Sequence, residues 1–247
     1  MAAIDGHILT PRGFVQGRIE FGARIVAVRG RPIDASQARD GAAPIVLPGF
    51  VDLHVHGGGG HDTMAGGDAV PGLARAHARH GTTALLATTM TAPRAEIESA
   101  LAALAPGVAS RPVRAARVLG VHLEGPYINR AKLGAQPDFA CTATLAEVLA
   151  LHAIAPIRLV TIAPELPGHL ALVVALRAHG FVVQLGHSAA SYEDARAAFE
   201  AGAQGVTHLF NAMSGLHHRA PGLVGAALAH AAHAELIPDL LHVHAGA

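Results

Sequence analysis

From residue 50 onward, apolar runs of strand length alternate with helix-patterned segments, and this alternation limits the fold more than any other feature of the chain. The strand candidates are residues 50–56, 82–88, 118–125, 157–163, 181–187, 205–209 and, less regular, 234–238. Their near-continuous apolar character is that of strands covered on both faces. The intervening helices have readable ends. Thr144 with Glu147, and Ser191 with Asp194, are capping boxes in which each side chain serves the other's backbone N–H. Gly180 and Gly202 sit where a glycine closes a helix C-terminus. Alternating β and α implies a parallel sheet covered by helices. Seven units in a row predict an α/β fold of the (β/α)8 TIM-barrel type with about seven strands present, an open sheet being the alternative. Residues 1–47 read differently. Short alternating segments at 17–21 and 24–28, divided by glycine, proline and charge, predict a small β meander. Pro48-Gly49 separates this N-terminal β portion (1–47) from the barrel (48–247).

Composition removes several functions. The 18 basic and 18 acidic residues balance, so neither nucleic acid nor an anionic membrane is the expected partner. Cys141 is the only cysteine, which excludes an intrachain disulfide and a cysteine-built metal site and points to a reducing, cytoplasmic home. Asp5 and His7 stand where a secretion signal needs an apolar run. The most apolar window, 170–185, is interrupted by Arg177 and His179 and is too short to span a bilayer.

In parallel α/β folds, functional groups gather at the C-terminal ends of strands. Here those ends read His54-Val55-His56, His122-Leu123-Glu124-Gly125-Pro126, Gly186-His187-Ser188 and Thr207-His208-Leu209, the last running into Asn211-Ala212-Met213. His54 and His56 are two apart on a strand and so share a face, which in a barrel is the interior. Two imidazoles and a carboxylate turned inward are costly to bury without a partner. A divalent metal is such a partner, since zinc takes histidine nitrogen and carboxylate oxygen. One HxH pair alone carries little weight; four strand ends with the same chemistry carry much more. His77, His80, His152, His169, His179, His230 and His233 fall on helical segments or their ends and are assigned to packing or solvent. His61 is ambiguous, and His217-His218 beside Arg219 could be either.

The segment Pro48-Gly49-Phe50-Val51-Asp52-Leu53-His54-Val55-His56-Gly57 resembles the opening of the amidohydrolase superfamily, the metal-dependent hydrolases. The runs His122 to Asn129, Gly186 to Ala189 and Thr207 to Met213 narrow this to N-acetylglucosamine-6-phosphate deacetylases. The resemblance implies that Glu124, His187 and His208 are the principal metal ligands, with His54 and His56 the pair of members that bind a second ion. It implies one or two divalent ions, zinc or alternatively iron. Ala135 and Gln136 match a loop that contacts the sugar; Asn211, Ala212 and His242 match substrate contacts; Arg219 matches a phosphate-binding arginine, whose planar fork suits a phosphate. The implied reaction removes acetate from N-acetyl-D-glucosamine 6-phosphate, in a homodimer when full length. The alternatives are an N-acetylgalactosamine 6-phosphate or N-acyl amino acid substrate, or a non-catalytic relic that binds metal or sugar phosphate. Three departures stand out. Gln136 replaces a histidine common in the family; it can donate a hydrogen bond but carries no proton. Pro238-Asp239-Leu240-Leu241 replaces the usual Ala-Asp-Gly-x. The eighth strand, its acid/base aspartate and the returning strands of the small β-sandwich domain are expected after Ala247. The catalytic residue is therefore not assigned, and the strands at 50–56 and 234–238 are expected to show unpaired edges.

Overall fold

The computed structural model describes residues 1–247, which form two compact units, Met1–Phe50 and Val51–Ala247. In the first unit, β1 (Ala2–Thr10), β2 (Gly13–Phe21) and β3 (Ile25–Ile33) make an antiparallel meander. After the single-turn helix α1 (Ala35–Ala38), β4 (Ile45–Val46) adds in parallel to β1, giving one mixed sheet in the order β3-β2-β1-β4. The strands are longer than the segments legible in sequence because Gly17 and Gly30 sit opposite each other mid-ladder. A side chain at either would meet the other strand's backbone, so these glycines permit pairing there and do not end it. The unit is this single mixed sheet, where the resemblance implies a β-sandwich portion.

The second unit is a seven-stranded sheet in the order β13-β12-β11-β10-β9-β8-β5, alternating with helices. Its strands are β5 (Phe50–Val55), β8 (Thr82–Thr88), β9 (Arg117–Glu124), β10 (Ile157–Ile162), β11 (Val182–Leu185), β12 (Gly205–Val206) and β13 (His233–Ala234). Pairing from β8 through β13 is parallel throughout. A two-residue hairpin, β6 (Gly57–Gly58) with β7 (His61–Asp62), follows β5. The helices are α2 (Ala69–Ala78), α3 (Arg94–Ala109), α4 (Leu145–Ile154), α5 (His169–Ala178), α6 (Tyr192–Glu200) and α7 (Gly222–His230). Both capping boxes form as the sequence indicates, and Gly180 and Gly202 adopt positive φ directly after their helices.

Every second strand residue packs on the helices. Leu85, Ala87, Val121, Leu123, Val160, Ile162, Val183 and Leu185 share one core with Leu73, Leu101, Leu104, Leu151 and Leu176. The alternate residues Thr88, His122, Glu124, Thr161 and Gln184 are also buried, but face the interior. The last strands are shorter than the apolar runs suggested. After Val206 the chain passes through positive φ at His208, Phe210 and Ala212, which ends β12. His233 corrects the sequence reading: the alanine-rich run before it reads as helix, yet it pairs on β13 opposite Gly205.

Candidate metal centre

Val55 packs into the helix-facing core, so its neighbours His54 and His56 turn inward. On β9, His122 and Glu124 alternate with Leu123 in the same way. Glu124 is 1% exposed and stands at the centre of the strand-end cluster. Its Oε1 lies 3.2 Å from His187 Nε2 and 3.1 Å from His208 Nε2. Its Oε2 lies 2.9 Å from His56 Nε2 and 3.4 Å from His54 Nε2, and accepts a 2.7 Å hydrogen bond from Gln136 Nε2. The imidazoles also converge on one another. The Nε2 atoms of His187 and His208 are 3.0 Å apart, as are those of His54 and His56. Two groups of potential ligand atoms thus share Glu124, one with His187 and His208, the other with His54 and His56.

The tautomers suit metal ligation. A carbonyl oxygen can only accept, so His187 Nδ1–H donates to Lys132 O at 2.9 Å and leaves Nε2 with its lone pair in the cluster. His54 Nδ1–H likewise donates to Glu235 Oε2 at 2.8 Å, which turns Nε2 toward the cluster. The buried Nδ1 atoms of His56 and His208 have no hydrogen-bond partner. Electrostatics also favours a cation. Burial pushes Glu124 up, but hydrogen bonds from His187, His208, His54 and His56 overcome this and hold its pKa well below the usual carboxylate range. Burial pushes His54 down, yet Glu124 and Glu235 outweigh it and raise its pKa to about 10. Carboxylate, imidazole nitrogens and attraction for positive charge together fit a divalent ion.

The turns that present these groups are tightly built. His187 and His208 both have positive φ, at 47° and 33°. Such backbone costs of order 1–3 kcal/mol and persists where surrounding bonds enforce it. Glu165 does this for the His187 turn, accepting from Asn129 Nδ2 (2.9 Å), Ser188 Oγ (2.8 Å) and the Ala189 N–H (2.6 Å). Asn129 N–H also donates to the His187 carbonyl at 2.9 Å.

A cleft of about 950 Å³ opens over the cluster. Ala135, Gln136, Asn211, Ala212 and His242 line it, as do Glu235 and His233. Gln136 is fixed on both sides, since its Oε1 accepts from the Thr91 N–H at 2.6 Å. His242 is exposed and held by Asp239, 2.7 Å away; the backbone and side chain of His242 lower that carboxyl to about 2. Arg219 lies in the exposed loop after β12, outside the cleft lining. Asp52, on the cleft wall, accepts from the His54 N–H at 3.1 Å. The helical histidines behave as expected. His169 is buried between Ala163 O and the Ala143 N–H, His77 bonds Gly57 O, and His230 pairs with Tyr192. Glu235 and Glu165 carried no sequence assignment. Glu235 follows the seventh strand as His187 follows the fifth, so the strand-end rule that found the ligand candidates reaches it too.

Residues 45–245 match the amidohydrolase family, and the chain belongs to that family. It is 41% identical to N-acetylgalactosamine-6-phosphate deacetylase of Escherichia coli O157:H7, over 98% of this chain and 65% of that protein. It is 43% identical to N-acetylglucosamine-6-phosphate deacetylase of Vibrio furnissii, over 82% of this chain and 52% of that protein. Among solved structures, N-acetyl-D-glucosamine-6-phosphate deacetylase from Mycobacterium smegmatis superposes with a TM-score of 0.84 at 33% identity, covering 98% of this chain and 65% of that one. A D267A mutant of that deacetylase, in complex with N-acetyl-D-glucosamine-6-phosphate, gives 0.83 at 34%, covering 97% and 64%. The chain thus spans between half and two thirds of the length of these relatives. No helix is long and apolar enough to cross a membrane.

Proposed function

We propose that the chain carries the metal centre and part of the substrate cleft of a deacetylase that removes acetate from N-acetyl-D-glucosamine 6-phosphate. The observation that carries this reading is the convergence of four histidine Nε2 atoms on buried Glu124. Glu124, His187 and His208 would hold one divalent ion, zinc or alternatively iron, and His54 and His56 with Glu124 a second. When bound, the ion polarises an amide carbonyl and lowers the pKa of a water to about 7.

The chain's own residues do the rest. Gln136, Ala135, Asn211 and Ala212 shape the cleft around the sugar, and His242 contributes from its rim. Arg219 is assigned to the phosphate, whose remote binding orients the amide at Glu124. The carboxylates at the cleft have other tasks: Asp52 accepts from its own strand, Glu235 holds His54, and Glu124 is surrounded by histidine. Proton transfer to the leaving amine is therefore assigned to none of these three carboxylates. The N-acetylgalactosamine epimer is the second reading, supported by the 41% identity over nearly the whole chain to the Escherichia coli protein named N-acetylgalactosamine-6-phosphate deacetylase.

Metal analysis of the purified protein and of His187→Ala and His208→Ala tests the centre. About one or two divalent ions per chain are expected in the wild type, with most of that lost in each variant. Acetate release from the two sugar phosphates side by side separates the epimers. Equal metal in all three proteins would remove the basis of the reading.

A further inference from the structure

A third group of potential ligands lies one layer deeper, where His54, His122 and Glu235 bring ring nitrogen and carboxylate oxygen together. It is not a further ion site. Both nitrogens of His122 are engaged, Nδ1 with the Leu53 carbonyl at 3.1 Å and Nε2 with Thr161 Oγ1 at 2.7 Å. Fully buried and with neither nitrogen free, it forms a neutral wall. That leaves Glu235 with His54. Glu235 Oε2 meets His54 Nδ1 at 2.8 Å, on the side of the ring opposite Glu124 and His56.

Glu235 is itself rigidly placed. Its N–H donates to Val206 O at 3.0 Å, and its carbonyl accepts from the Leu209 N–H at 2.8 Å. These bonds bracket His208, so the backbone that carries one proposed ligand also fixes the carboxylate that orients another. The link joins β5 and the end of β13, the two outer strands of the sheet, across its interior.

We propose that Glu235 is a positioning residue for the metal centre, holding His54 as the Nδ1–H tautomer with Nε2 aimed at the ion shared with His56 and Glu124. This rests on the metal-centre reading above. A carboxylate behind a ligating histidine fixes ring and tautomer, and its loss commonly weakens metal binding about 10–100-fold. Glutamine can replace it, because its amide oxygen still accepts from Nδ1–H, whereas leucine of similar size cannot.

The test titrates zinc alone into the full chain as wild type, His54→Gln, Glu235→Leu and Glu235→Gln. It also follows the His54 Nδ1–H proton by NMR, identified by its absence in His54→Gln. The zinc equivalent that depends on His54 is expected to weaken about 10–100-fold in Glu235→Leu and to recover to within about 3-fold of wild type in Glu235→Gln. The equivalent at Glu124, His187 and His208 is expected to remain. The Nδ1–H resonance is expected in wild type and Glu235→Gln and to vanish in Glu235→Leu. Unchanged zinc binding in Glu235→Leu, equal weakening in both Glu235 variants, a persisting resonance, or no zinc equivalent that depends on His54 would each overturn the proposal. A wild type that binds no zinc overturns the metal-centre reading and, with it, the ligand role given to His54. The resonance would still report whether Glu235 orients His54.

Discussion

The two faces of the barrel strands follow different rules. On the helix side, Leu85, Val121, Leu123, Val160, Ile162 and Leu185 form a continuous apolar layer in which each side chain touches many others. On the interior side, alternate residues of the same strands form a hydrogen-bonded series. It runs from the Leu53 carbonyl through His122 to Thr161, from Thr161 to Thr207 at 2.7 Å, and on to Gln184 at 2.9 Å and His233 at 2.9 Å. Apolar contact is non-directional and roughly proportional to area, so losses on the helix side are graded. A buried polar series has few alternative partners, and each missing group strands its neighbours. The proposed metal centre sits at the rim of the second face, where polar groups are already held in place.

This contrast can be broken by substitution. Leu123→Ala, in the middle of the apolar face, is expected to cost about 2–5 kcal/mol from lost burial and a residual cavity. Denaturant unfolding measures this, and metal stoichiometry in the folded fraction should stay at the wild-type value. Thr161→Val is nearly the same size but deletes the hydroxyl between His122 and Thr207. It is expected to cost about 1–3 kcal/mol, because His122 Nε2 is left without a partner and Thr207 keeps only Gln184. A neutral or stabilising Thr161→Val would show that the interior series is not a stability element and that the two faces obey one rule.

Per pH unit, the smallest effect is a pH dependence. His122 has a folded pKa of about 3 against an unfolded value near 6.5. The unfolded chain therefore binds the extra proton first as pH falls, and His122 draws stability away from pH 6.5 down toward pH 3. Its contribution is fully present above pH 6.5. Thermal melting of the metal-free protein should show this acid slope, at most about 1.4 kcal/mol per pH unit from this group. His122→Gln should flatten it. An identical slope in the variant would mean that His122 is not the neutral wall described above.

Much of this contrast was legible in the sequence. Alternating apolar runs and helix caps are local signals, and Thr144–Glu147 and Ser191–Asp194 formed as read. The inward pairing of His54 with His56 follows from the two-residue strand period alone. What escaped depends on contacts far apart in the chain. Glu235 reaches His54 across 181 positions, and Glu165 serves a turn more than 20 residues on. A strand end can nominate Glu235, but the partner each of these residues meets is set by how the sheet curls, which no local pattern encodes. His233 was missed for another reason: a two-residue strand after an alanine-rich helix leaves almost no period to read.

The central claim is that Glu124 organises a metal centre shared by two ligand groups. Glu124→Gln tests it most directly, because the substitution keeps the size of the side chain but removes the negative charge that both groups share. Elemental analysis should find about one or two divalent ions per chain in the wild type and almost none in the variant, with unchanged secondary structure by circular dichroism. Metal retained at the wild-type level in a folded Glu124→Gln protein would contradict the account.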